Sequence, residues 1–151
     1  MAKLTKEQWQ EIKDVLSGVW GVVYLECDGH LICAEVAKLK QRLVIQVYVD
    51  GVIKGSWSKA VEEDDIGQLT DIQRKFMRHR KVGLPKKYIA SNEKYFGKKQ
   101  CKQNGVYKKT IVPLPYFNNP SEFIAKLKKT CENIEIIDYA THKERLAAKS
   151  A

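Results

Sequence analysis

The sequence predicts an α+β fold: a four-stranded antiparallel meander covered by about three helices, with a long basic loop. Three observations carry that prediction. Two Asp-Gly pairs, Asp28-Gly29 and Asp50-Gly51, each lie between apolar alternating runs. Such a pair is a strong hairpin signal, because a type I′ turn needs positive φ at both central residues. Three segments repeat apolar residues at helical spacing behind capping residues. A lysine-rich stretch, KKYIASNEKYFGKKQCKQNGVYKK from Lys86 to Lys109, follows neither period.

The first helix is signalled by Thr5 at the N-cap and Gln8 three residues later, a capping box, with Leu4 placed to staple onto Trp9. Trp9, Ile12, Val15 and Leu16 make its apolar stripe and Gly18 ends it. The runs WGVVYLEC and HLICAEV, then RLVIQVYV and VIKGSW, give two hairpins joined by AKLKQ, a meander over residues 20–57. Alternation puts Val23, Leu25, Ile32, Ala34 and Val36 on one face, which helices must cover.

An acidic turn, VEEDDIG, leads to a second predicted helix over residues 66–81, capped by Asp64 or Asp65 and buried along Ile66, Leu69, Ile72 and Phe76. On such a helix Arg74, Arg78 and Lys81 share one solvent face. Gly83 and Pro85 close it. Residues 83–109 read as irregular. IVPLPYF reads as extended or edge strand, since proline cannot donate to a ladder. Asn119, Pro120 and Glu122 start a third helix, with Phe123, Ile124, Leu127 and Cys131 on its apolar side. IEIID gives a short last strand. The organisation expected is one domain over residues 1–138 and a polar, fraying tail over 139–151.

The composition, 44% hydrophobic and 30% charged over 151 residues, fits a globular protein and argues against wholesale disorder. No apolar run approaches a membrane span, and MAKLTKEQW lacks the apolar core of a secretory signal. A cytoplasmic protein with no membrane partner is expected, with Cys27, Cys33, Cys101 and Cys131 as reduced thiols.

Catalytic and metal chemistry find little support. Cys27, His30 and Cys33 are close together, but an Asp28-Gly29 hairpin puts Cys27 opposite His30 and turns Cys33 to the other face, which does not close a zinc tetrahedron. His79 stands among cations that favour its neutral form, and no local motif joins a cysteine to a histidine. Glu26, Asp28, Glu35 and Asp50 lie near the sheet, with Lys38 beside Glu35, but match no metal-nuclease spacing. There is no phosphate loop or dinucleotide fingerprint, so no cofactor is expected.

The charge is more informative. From Arg74 to Lys109 thirteen cations stand against Glu93 alone, a local +12 within a total of +9, which leaves −3 for the rest of the chain. Segregated charge makes a field that collects a polyanion. Phosphates are met by lysine and arginine, and exposed bases by aromatics. Here Tyr88, Tyr95, Phe96 and Tyr107 are interleaved with the lysines. The residues expected to bind nucleic acid are Arg74, Lys75, Arg78 and Lys81 from the second helix, then Lys86, Lys87, Tyr95, Lys98, Lys99, Lys102, Tyr107, Lys108 and Lys109 from the loop.

The element order over residues 5–81 (helix, antiparallel meander, helix) resembles that of the double-stranded-RNA-binding domain. That family carries a lysine cluster at the start of its second helix. This chain has Val61-Glu62-Glu63-Asp64-Asp65 there, which repels phosphate.

The function expected is therefore non-catalytic binding of DNA or RNA, mainly through phosphates. Two alternatives remain: an interaction module or inhibitory factor docking an acidic protein, and a small metal-dependent nuclease.

Overall fold

The structure, a computed structural model, describes residues 3–150. Helix α1 (Lys6–Leu16) begins at the expected capping box: Thr5 Oγ1 accepts the N–H of Gln8, and Gln8 Oε1 accepts the N–H of Thr5. Ile12 and Leu16 are buried, whereas Val15 is largely exposed. Strands β1 (Val22–Cys27), β2 (His30–Leu39) and β3 (Arg42–Val49) follow as an antiparallel meander. Asp28 and Gly29 adopt φ of 49° and 85°, the positive pair that a type I′ turn demands. Val23, Leu25, Ile32 and Ala34 share the buried face, with Val36 partly buried beside them.

The expected fourth meander strand does not form. After Asp50-Gly51, Val52 makes one bridge to Val49, and Gly55–Ser58 wind into a 3-10 turn that buries Trp57. Two further departures follow. The second helix is α2 (Asp71–Phe76), six residues long, started by a capping box between Thr70 and Gln73. The acids before it, with Ile66 exposed, form a separate 3-10 turn over Glu63–Gln68. Beyond Met77 the chain is extended, and Arg78–Val82 is strand β5. Strand pairing with a distant segment overrides the helical pattern read for residues 77–81. Arg74, Arg78 and Lys81 therefore do not share a helix face.

The long basic loop is mostly helix. α3 spans Lys86–Gln103 and breaks at Gly97, whose φ of 77° and ψ of 159° are open to glycine alone at little cost. A helix that packs on almost nothing shows no apolar period, so periodicity could not reveal it.

The remaining elements are β4 (Val61–Glu62), β6 (Thr110–Leu114), β7 (Tyr116–Phe117), α4 (Pro120–Thr130), β8 (Ile134–Ile137) and α5 (Tyr139–Ser150). They complete two antiparallel sheets. The larger has five strands rather than four, in the order β7-β3-β2-β1-β8, and the smaller runs β4-β6-β5. β7 occupies the edge of β3 along which a fourth meander strand would have run. β6 is central in its sheet, but β4 pairs only with Thr110 and Ile111 and stops short of Pro113, so that side of the proline stays open.

The main core lies between the five-stranded sheet and α1, α2 and α4, filled by Leu25, Ile32, Val47, Phe76, Phe117, Phe123 and Leu127. Asn119 caps α4 as the sequence indicates, accepting the N–H of Glu122 at 2.9 Å. Residues 139–150, read from the sequence as a polar tail, form the helix α5. α5 lies on the opposite sheet face, where His142 is buried and stacks on Tyr24 with ring centroids 4.7 Å apart. No helix among the described residues is long and apolar enough to cross a membrane.

Candidate nucleic-acid interface

The fold divides the thirteen predicted binding residues into two groups. In the first group Arg74, Lys75, Arg78 and Lys81 each engage another side chain of the protein, and Lys108 and Lys109 lie near acids. Lys75 Nζ lies 2.8 Å from Asp28 Oδ2. Hydrogen bonding to Asp28 raises the Lys75 pKa above the usual lysine value. Burial works against the Asp28 carboxylate, but Lys75 and the N–H groups of Asn133 and Glu132 outweigh it and hold its pKa low. Arg74 pairs with Asp71, one turn earlier on α2. Lys81 reaches Glu63 at 3.2 Å. Arg78 stacks its guanidinium 5.6 Å from the ring centroid of Tyr116. Lys108 and Lys109 line one small cleft with Glu62, Glu63 and Asp64, exposed and without ion pairs among the described residues, and the Lys109 backbone carbonyl accepts the N–H of Glu63 at 3.0 Å. The acidic turn thus neutralises part of the basic segment that follows it.

The second group is on α3. Lys86, Lys87, Lys94, Lys98, Lys99 and Lys102 are exposed, and none forms an ion pair among the described residues. Tyr88, Tyr95 and Phe96 are exposed by 54%, 76% and 58%, unusual for aromatics, which normally bury most of their area. Before the break at Gly97, residues 88, 92, 95 and 96 recur at helical spacing, so the three aromatic rings share a face. The far end of α3 is anchored by buried Cys101, with Val106 buried just beyond it. Tyr107 lies beside Glu93, the one acid on α3. Tyr95 makes no hydrogen bond or ring pair among the described residues.

A concave surface elsewhere is not announced by the sequence. Lys6, Trp9, Lys13, Ser121 and Lys128 line a groove of about 320 Å³ between α1 and α4. Lys128 Nζ lies 5.5 Å above the Trp9 ring. Its lysines come from opposite ends of the chain, so no local cluster marks it in the sequence.

The residues considered for chemistry are committed to the scaffold. β1–β2 pairing places Cys27 opposite His30 and Cys33 opposite Tyr24. His30 Nδ1 is 3.1 Å from Asp50 Oδ2. Asp50 also accepts the N–H of Leu31 at 3.0 Å and pairs with Lys149. Arg145 spans Glu26 and Glu135 on adjacent strands. Burial lowers the His79 pKa, and Lys126 and Lys129 add to the effect, while its Nε2–H donates to the Gln73 carbonyl at 2.8 Å.

Compared with known proteins, the chain matches no family model, and no curated protein or solved structure is significantly similar to it.

Proposed function

We propose that the protein is a non-catalytic nucleic-acid-binding protein that grips phosphates through α3. The observation that carries this reading is the state of α3: six lysines against one glutamate, without ion pairs among the described residues, interleaved with exposed aromatics. A charge kept unpaired on a surface can neutralise phosphate and release counterions. An exposed ring beside it can stack on a base. The residues that support the reading best are Lys86, Lys87, Tyr95, Lys98, Lys99 and Lys102. Of the other predicted positions, Lys108 and Lys109 add to the local field beside an acidic turn, and Arg74, Lys75, Arg78 and Lys81 have partners within the protein.

Fluorescence anisotropy with labelled duplex DNA, single-stranded DNA and RNA over a salt series tests it. Binding should weaken steeply with salt. Lys98→Ala/Lys99→Ala/Lys102→Ala should weaken it by roughly 10- to 100-fold at 0.1 M salt and lower the log–log slope on duplex by about 0.9 for each phosphate no longer neutralised. No binding to any strand at low salt would overturn the proposal and leave docking to an acidic protein as the reading of this surface. Loss of binding in Lys6→Ala/Lys13→Ala/Lys128→Ala, with the α3 variant unchanged, would move the interface to the groove between α1 and α4.

A further inference from the structure

Two of the four cysteines meet inside the protein. Cys27 ends β1 and is fully buried; Cys131 caps the C-terminus of α4 and is 8% exposed. Both belong to one core cluster, and their thiols are close enough to influence each other's ionisation. The residue after Cys27 is locked to the segment that follows Cys131. Asp28 N–H donates to the Asn133 carbonyl at 2.9 Å, and the Asp28 carboxylate accepts the N–H of Asn133 at 2.7 Å and of Glu132 at 3.2 Å. Lys75 closes the clamp from α2. The meeting of the thiols is therefore imposed by the backbone on both sides.

We infer that Cys27 and Cys131 form a redox-active dithiol, a modification site that peroxide oxidises to an intramolecular disulfide joining the end of β1 to the end of α4. The two sulfurs have unequal roles. The neighbouring Cys27 thiol lowers the Cys131 pKa; burial and Asp28 oppose this, and Thr130 and the Lys75 ammonium assist it. Cys27 is fully enclosed, and its Cys131 neighbour and burial raise its pKa. Cys131, the more exposed of the two and the one beside Lys75, is the attacking thiolate. It displaces hydroxide from peroxide, which leaves as water after taking a proton, and becomes a sulfenic acid. The Cys27 sulfur then attacks the Cys131 sulfur. The S–O bond breaks, and the hydroxide leaves with the Cys27 proton as a second water. Two thiols lose two electrons, and one peroxide is reduced to two waters. Cys33, whose thiol is pushed up to about 11 by burial and Glu35, stays outside this chemistry.

The test uses the full chain with Cys33→Ser/Cys101→Ser, treated with hydrogen peroxide under native conditions. Intact mass should show the loss of two hydrogens, alkylation should find no thiol where the untreated protein has two, and dithiothreitol should restore both. A bridge between positions so distant in the chain should raise the unfolding midpoint by roughly 10 °C. Adding Cys27→Ser should stop the reaction at a Cys131 sulfenic acid that dimedone traps. Peptide mapping of oxidised wild-type protein gives the same answer if the double variant does not fold. Two alkylatable thiols after oxidation, oxygen gain without a bridge while both cysteines are present, or a bridge involving Cys33, Cys101 or a second chain would each overturn the assignment.

Discussion

The five-stranded sheet and α3 handle charge in opposite ways. Around the sheet, charged groups are matched. Asp28 is held by Lys75, Asp50 by His30 and Lys149, and Glu26 by Arg145. Several of these groups are half-buried, where an unmatched charge is costly. On α3 the lysines stand in water without ion-pair partners among the described residues. Solvated charge of one sign costs little until it is brought together, and it remains available to an external anion. In the sequence these two populations run into one another, since Lys75 and Lys98 belong to the same basic block. Only the fold separates the cations spent on architecture from those left for a partner.

The largest effects are expected on the sheet side. Asp28→Ala should destabilise the protein by about 3 kcal/mol, because it leaves Lys75 and two N–H groups without their acceptor. It also places alanine in a left-handed conformation, φ 49°. Asp28→Asn keeps the turn and loses the charge, and should cost about 1 kcal/mol less. Urea unfolding at pH 7 measures both. The pH dependence follows in sign. The folded Asp28 and Asp50 pKa values lie below the unfolded ones. Their stabilisation is therefore complete above the ordinary carboxylate pKa and is lost as pH falls through the folded values. A wild-type acid transition that Asp28→Asn leaves unchanged would show that the clamp contributes nothing.

On the helix side, Tyr95→Ala should weaken binding to single strands by about 1–3 kcal/mol and leave the folding midpoint unchanged, since the ring is 76% exposed. A loss that is equal on duplex and single strands would show that Tyr95 does not stack on bases. His142 offers a smaller effect. Burial lowers its pKa, so the unfolded chain takes up the proton first and stability falls as pH drops below about 6.5. Replacing it with phenylalanine should remove part of the fall in stability between pH 7 and 5, His79 supplying the rest, and a profile that stays unchanged would place the titrating group elsewhere.

What the sequence reveals follows the range of the interactions. The Asp28-Gly29 turn, the Thr5 capping box and the Asn119 cap are each decided within a few residues, and each forms as read. The strand at Arg78–Val82 is decided by β6, some thirty residues later, so its local pattern misleads. α3 hides for another reason. A helix exposed nearly all round leaves no apolar stripe, and only its helix-forming residues, with Ile89 the single β-branched side chain, give it away. The site divides along the same line. Lys86, Lys87, Tyr95, Lys98, Lys99 and Lys102 are exposed as a run of lysines suggests, whereas the engagement of Lys75 with Asp28 and of Arg78 with Tyr116 is tertiary.

The smallest effects belong to Arg74 and Lys81, which stand between the matched charges of the sheet and the unpaired lysines of α3. Both pair with exposed carboxylates, Asp71 and Glu63. Exposed pairs of this kind contribute at most about 1 kcal/mol and often nothing measurable. Arg74→Ala and Lys81→Ala should each shift the unfolding free energy by less than about 0.5 kcal/mol. Their effect on nucleic-acid affinity should also be small, about twofold or less at 0.1 M salt, because each cation already faces an acid and displaces few counterions when phosphate approaches. A tenfold loss from either substitution, measured beside the α3 variant in the same salt series, would mean that phosphate competes successfully with Asp71 or Glu63. Architectural and available cations would then be a matter of degree. The interface would extend from α3 across α2 and β5, and Glu63→Gln, by releasing Lys81, should tighten binding.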